Sequence, residues 1–216
     1  MSYRVLLCSS LLVLVPIAAF AQTGGTLTGK VAEVTRKGKT FTVMIRPEGG
    51  DPLPVEITPR VKLEVVSSGD EGFFREGLAV SADCVESNKL YFSGKFRVMA
   101  ESAQKPLPPS VVTPPAVPGT SRTRKIVSGT IVGFEKVAEE KYDLLSLKSS
   151  PQQPLSVQVE RNRSIVVIQT DPEQIATDMK ATATGRPAGG KFLATMLVID
   201  TGKKLKAEEF FTAETK

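Results

Sequence analysis

The chain contains no histidine. Without an imidazole there is no Ser–His–Asp triad, no histidine general base and no imidazole metal ligand. The two cysteines are Cys8 and Cys84. Cys8 lies in the leading apolar segment, so Cys84 is the one thiol to weigh. With no histidine beside it, a thiol nucleophile is not expected, and a lone cysteine reads as a small buried apolar side chain. Zinc needs several Cys or His ligands. The closest carboxylate pairs are Asp70–Glu71 and Glu139–Glu140. Adjacent residues on a strand point to opposite faces, and both pairs fall between expected strands, where solvated turn charges are ordinary. Neither has the alternating spacing of a calcium loop. Gly49–Gly50–Asp51 and Gly189–Gly190–Lys191 precede no helix, so they read as turns between strands rather than phosphate loops. Asn162–Arg163–Ser164 is a glycosylation sequon, meaningful only in a eukaryotic secretory pathway. The chemistry left by this elimination is binding, with no enzyme activity, metal or cofactor expected.

Surfaces that stack bases or sugars combine aromatic rings with basic side chains. Tyr91 and Phe92 are adjacent, so on a strand one of them faces outward, and Lys89, Lys95 and Arg97 lie close by in sequence. Lys89, Tyr91, Lys95 and Arg97 are therefore the candidate ligand-binding residues. The second half of the chain offers only Phe192 and Leu193 beside Lys191 at the same place.

Those residues must be positioned by something, and the elements are legible. Arg4 precedes an apolar run from Val5 to Phe20, and Ala19–Phe20–Ala21 forms a small-x-small site before Gln22. That order reads as a cleaved signal peptide over 1–21 and places the mature protein in the periplasm or outside the cell. The run is too short and interrupted for a membrane span of roughly 20 apolar residues, and no later stretch is a transmembrane candidate. Residues 22–101 carry 11 Lys/Arg and 11 Asp/Glu, and residues 126–216 carry 12 and 12. The excess positive charge of the mature chain sits in 102–125, which leaves the expected folded parts without the clustered basic face that specific nucleic-acid binding requires.

Residues 102–125, SAQKPLPPSVVTPPAVPGTSRTRK, contain six prolines and no apolar periodicity. They read as a semi-rigid extended linker. On either side the sequence repeats at an offset of 100 to 102 residues. Thr28–Gly29–Lys30–Val31 matches Ser128–Gly129–Thr130–Ile131, Val43 and Ile45 match Leu145 and Leu147, and Pro52–Leu53–Pro54–Val55–Glu56–Ile57 matches Pro154–Leu155–Ser156–Val157–Gln158–Val159. Lys89–Leu90 likewise matches Lys191–Phe192. Within each half the apolar period is two, the mark of half-buried antiparallel strands. Five strands per half are expected, near 26–35, 40–46, 53–58, 78–84 and 90–99, then 127–136, 142–148, 154–160, 178–184 and 191–199. Asp171–Pro172 is a helix-start signal, and Gly69–Asp70–Glu71 through Gly77 stands in the same place in the first half. A short helix is therefore expected between the third and fourth strands of each half.

Three strands, a short helix and two strands in roughly 75 residues resembles an OB-fold, a five-stranded Greek-key barrel. The tandem arrangement is similar to exported bacterial OB-type domains of unassigned function, and other small barrels or sandwiches remain the alternative. The expected fold is thus all-β: two tandem five-stranded barrels at 22–101 and 126–216, the second with a C-terminal tail, joined by the linker. The expected function is a non-catalytic exported binding or scaffold protein with an envelope or extracellular protein or glycan as partner. The alternative is a carbohydrate or oligonucleotide binder using the barrel strand face.

Overall fold

The computed structural model describes residues 24–38, 40–101, 107–115, 123–138, 140–148 and 155–213. The expected signal segment 1–21, Gln22, Glu139, and residues 102–106 and 116–122 of the Pro-rich segment, Lys105 and Arg122 among them, lie outside the described residues. The chain is all-β. Its strands are β1 Gly25–Lys37, β2 Thr40–Arg46, β3 Leu53–Ile57, β4 Lys62–Gly69, β5 Ala79–Ser87 and β6 Leu90–Met99. They continue as β7 Ser110–Val112, β8 Arg124–Glu135, β9 Tyr142–Leu147, β10 Leu155–Gln169, β11 Lys180–Ala188 and β12 Lys191–Leu205, with a short helix α1 at Ala207–Ala213.

The alternating pattern does what its period predicts. Val43, Ile45 and Val55 are fully buried, as are Leu145, Leu147, Val157 and Val159. Turn chemistry is also as expected at Gly189–Gly190, where φ angles of 55° and 75° form a two-residue hairpin between β11 and β12, a geometry that glycine adopts without steric cost. Pro54, which lacks an N–H, lies in β3 at one end of the strand order, where an edge strand tolerates it.

Two strands lie outside the expected set, the eight-residue β4 and the three-residue β7. β4 begins after a break at Thr58–Val61, and β7 forms within the Pro-rich segment, pairing Ser110–Val112 with Ser128–Ile126 of β8. The linker is therefore not free along its whole length. Arg124 and Lys125, expected at its end, belong to β8. The unbroken apolar run Ile165–Ile168 extends β10 well past its expected end because that stretch has a neighbour on each side. It pairs with β6 in parallel and with β4 in antiparallel.

Five strands close into a barrel. β8 pairs with β9, β9 with β10, β10 with β6 in parallel, β6 with β5, and β5 with β8 again. This ring is compatible with an OB-like fold, but it is not assembled from one half of the sequence. β8, β9 and β10 come from the second half, and β5 and β6 from the first. The expected boundary at 102–125 does not separate two sets of strands, which corrects the expected division into barrels at 22–101 and 126–216. The remaining strands surround a second core in matching order: β2 beside β1, β1 beside β11, β11 beside β12, and β12 parallel to β4. There the ring is interrupted, since β3 ends at Ile57 and β4 starts at Lys62.

The exchange is symmetric. Val31 donates to the Met179 carbonyl at 2.8 Å and accepts from the Asp178 amide at 2.8 Å. Its counterpart Ile131 donates to Leu78 at 2.8 Å and accepts from Gly77 at 2.9 Å. The antiparallel ladder of β4 with β10 pairs Ser67 with Val167 and Val65 with Gln169, so it maps onto itself under the 102-residue offset.

The chain passes from one unit to the other through the segments after β4 and β10. Each holds a single 3-10 turn, Glu71–Phe73 and Pro172–Gln174, where a helix was expected. Asp171 caps its turn as read, accepting from the Glu173 amide at 2.9 Å, and Asp70, read only as a turn charge, does the same in the first half, accepting from the Gly72 amide at 3.0 Å. Both turns stop after three residues because the next side chains enter a core. Phe73 and Phe74 enter that of the closed barrel, and Ile175 enters the second.

Candidate functional site

Two of the four candidate residues come together on the outer surface of the closed barrel. On β6 the inward residues are Phe96 and Val98, so Lys95 and Arg97 project outward. β5 contributes Ser81 and Asp83, β8 contributes Arg124 and Ile126, and β10 contributes Ser164 and Val166. These side chains line a groove of about 370 Å3. Register explains the meeting: Ser81 lies opposite Arg97, Ser164 beside Lys95 and Val166 beside Arg97.

The charges in the groove are unequal in their freedom. Arg124 grips Asp83 through Nε at 2.7 Å and a terminal nitrogen at 2.8 Å, a bidentate geometry that holds both groups in place. Arg97 is bound to the buried carboxylate of Glu64 on β4, which also takes Lys62 at 2.8 Å. Ser128 and Ser81 share a hydrogen bond at 3.0 Å. Lys95 has no ion-pair partner among the described residues, and its side chain is exposed. The groove thus presents one unengaged cation between two fixed ion pairs, beside the apolar surfaces of Ile126 and Val166.

Lys89 and Tyr91 are placed elsewhere. Lys89 is the second residue of the two-residue hairpin between β5 and β6, exposed, with φ at 64° after Asn88 at 50°. Tyr91 is half-buried and packs against the closed-barrel core. Its neighbour Phe92 meets Tyr142 of β9 edge-on at 5.1 Å between centroids. An irregularity at Ser93–Lys95 separates the two pairs of residues: three residues of β6 oppose two of β5 between Phe92 and Phe96, and on the other side β10 inserts four residues between Val159 and Ser164. Sequence reasoning missed Asp83, Arg124 and Ser164. Asp83 and Arg124 lie on different halves of the sequence and meet only through the β5–β8 ladder. The alternation along β5 and β8 was the one signal that could have put them on an outward face.

A larger cavity, about 820 Å3, lies at the end of the same barrel between Glu71, Phe74, Arg75, Phe134 and α1. Glu71 and Lys136, two of its charged lining residues, are engaged in an ion-pair network. Arg163 of β10 bonds to Asp143 at 2.6 Å and to Glu71, lies over the Phe134 ring at 5.4 Å, and Glu71 also takes Lys136. Hydrogen bonds from Lys136 and Arg163 hold the Glu71 carboxyl below its ordinary range. Burial would push the Asp143 carboxyl up, but Arg163 and the Val137 amide more than offset it, and it too is lowered. Phe210 and Phe211 of α1 stack on Phe73 at 5.7 and 5.6 Å. This network ties Glu71, from the first half, to three residues of the second, and it acts as a staple across the exchange.

Cys84 is buried in the closed-barrel core and free. Burial, reinforced by the Asp83 charge, pushes its thiol up to about 12, which disfavours the thiolate form that reactivity needs. Among the described residues no group of three His, Cys, Asp or Glu is placed to hold a metal ion. No described helix is long and apolar enough to cross a membrane. In comparisons with known proteins, no family model, curated protein or solved structure matches the chain.

Proposed function

We propose that the protein is an exported, non-catalytic binding module whose ligand sits on the outer strand surface of the closed barrel, over the groove at Lys95. The observation that carries this reading is the state of Lys95: an exposed cation, unengaged among the described residues, held at a fixed position between the Arg124–Asp83 and Arg97–Glu64 pairs. A rigid strand surface with one free charge and adjacent apolar side chains orients a partner by one ionic contact and covers Ile126 and Val166 with the rest. The partner class is an envelope or extracellular protein or a glycan. The OB-like order of the ring supports the same reading, since OB-folds are used as binding platforms, and the two duplicated modules of the sequence become one interlocked body.

Export rests on the Arg4, Val5–Phe20 and Ala19–Phe20–Ala21 pattern. Intact mass of the protein from its native host should show a chain beginning at Gln22, and retention of Met1 would refute it. The binding site is tested by placing a photo-crosslinking residue at position 95 and, as a control, at position 203 on β12. A discrete adduct from position 95 alone supports the reading. Equal labelling at both positions, or none at 95, refutes it.

A further inference from the structure

Strand exchange redistributes charge in a way the linear sequence hides. Among the described residues, the closed-barrel unit draws on 70–101, 124–138, 140–148, 155–169 and 206–213, with 12 Lys/Arg and 12 Asp/Glu. The other unit draws on 24–38, 40–69 and 170–205, with 11 and 9. The two sequence halves are neutral, but one structural unit is positive. Part of that excess is concentrated in a single row. Lys30 of β1 lies directly opposite Lys180 of β11 on one side and directly opposite Arg46 of β2 on the other. Residues paired in this way project from the same face of a sheet. The alternation agrees, because Val31, Ile45 and Ala181 point into the core and the three cations point out. All three are exposed, and none makes an ion pair or side-chain hydrogen bond among the described residues.

Like charges directly opposite one another destabilise a sheet. Three other cations on the same unit are paired: Lys191 with Glu56 at 2.6 Å, Arg36 with Glu173 at 2.5 Å and Lys62 with Glu64 at 2.8 Å. Lys37, Arg60, Arg186, Lys203 and Lys204 make no ion pair among the described residues, so what sets the row apart is the direct opposition of its three members. The row borders a cavity of about 630 Å3, whose wall also includes Thr28, Glu48 and Asp178. Neither acid is in an ion pair with the row. Asp178 holds a left-handed φ of 66°, and its backbone N–H donates to the Val31 carbonyl at 2.8 Å.

We propose that the Lys180–Lys30–Arg46 row binds the phosphate group of an anionic ligand. A guanidinium grips a phosphate with two parallel hydrogen bonds, and ammonium groups on either side add point charges and donors. A doubly charged tetrahedral group engages three cations at once, whereas a single carboxylate leaves one of them opposed only by its neighbours. Glu48 and Asp178 at the rim weaken the hold and keep it reversible. The site deepens the reading of the protein as a binding module, but it lies apart from the Lys95 groove and stands or falls separately from it.

The test uses the full mature chain, titrated calorimetrically with inorganic pyrophosphate and sedimented with phosphatidylcholine vesicles containing phosphatidic acid, whose phosphomonoester headgroup can carry two negative charges. Pyrophosphate should bind, and more weakly as salt is raised. Lys30→Gln and Arg46→Gln should each weaken binding at least about tenfold. Lys191→Gln, on the same unit, should leave it unchanged, and Asp178→Asn should strengthen it. Lys30→Gln should also raise Tm, by about 1–3 °C, because it removes the like-charge opposition; that readout shows that lost binding is not lost folding. Vesicle binding displaced by pyrophosphate assigns the phosphate to a lipid headgroup, and pyrophosphate binding without vesicle binding assigns it to a soluble ligand. Absence of pyrophosphate binding by the unaltered protein, or an equal loss in Lys191→Gln, would overturn the proposal.

Discussion

Cutting the chain between its halves should leave the molecule in one piece. The perturbation is a protease site inserted within residues 116–122 of the mature protein. Five ladders join a strand of the first half to a strand of the second: β1 with β11, β4 with β12, β4 with β10, β6 with β10 and β5 with β8. Both cores are shared as well. Separation strips β8–β10 from Phe73, Phe74, Leu78, Val80, Phe96 and Val98, which are all at most 6% exposed. At about 2 kcal/mol for each buried apolar side chain, the six forfeit on the order of 12 kcal/mol. That is comparable to the whole stability of an ordinary domain, about 5–15 kcal/mol. A fragment of 22–101 alone therefore cannot keep its share of the fold. The assay is gel filtration and circular dichroism of the cleaved protein, of the two fragments expressed singly, and of their equimolar mixture refolded together. The cleaved protein should elute intact, the single fragments should be unfolded, and the mixture should regain the strand spectrum. Folded monomeric fragments, or a cleaved protein that falls into two folded pieces, would refute the exchange.

Three smaller expectations follow from the same geometry. Val157 is fully buried while Gln158 alternates away from the core, so Val157→Ala should cost about 2 kcal/mol in urea denaturation and Gln158→Ala under about 0.5 kcal/mol; equal losses would show that the stripe is not the core face. Arg163→Met leaves Asp143 buried without its partner and should cost about 3 kcal/mol at neutral pH. Glu71 and Asp143 have lowered folded-state pKa values, so in the unaltered protein they contribute stability above their ordinary values of 4.5 and 3.8, and that stability is lost as pH falls through and below this range. Thermal denaturation from pH 7 to pH 3 should therefore show a shallower acid decline in Arg163→Met, and an unchanged decline would remove the staple's role. Lys89→Gly relieves a left-handed φ on a side-chain-bearing residue where the matching hairpin has Gly190, and should raise stability by about 0.5–1 kcal/mol, measured by the same urea titration; a loss would mean that the Lys89 side chain contributes to the fold.

The sequence by itself determined ten of the strands in outline, the Gly189–Gly190 hairpin and the inward faces; β4, β7 and the second part of β10 it did not. Those properties are local: a period of two places Val43, Ile45, Val157 and Val159 on one face whatever strand lies alongside, and Gly189–Gly190 makes a tight turn wherever its hairpin docks. It also carried the burial of Cys84, as a lone apolar thiol, and the capping role of Asp171. The tertiary structure alone decided which strands are neighbours. The two halves present nearly the same set of edges, so β5 and β6 satisfy their hydrogen bonds and apolar faces against β8–β10 as well as against β1–β3, and alternation does not distinguish the choices. The choice is made after β4 and β10, where Phe73, Phe74 and Ile175 cut short their 3-10 turns and carry the chain into the opposite core. From that crossing come the features invisible along the chain: the Asp83–Arg124 pair beside Lys95, the Arg163 staple, and the row of Lys180, Lys30 and Arg46, whose members are brought together by hydrogen-bond register across 150 residues of sequence.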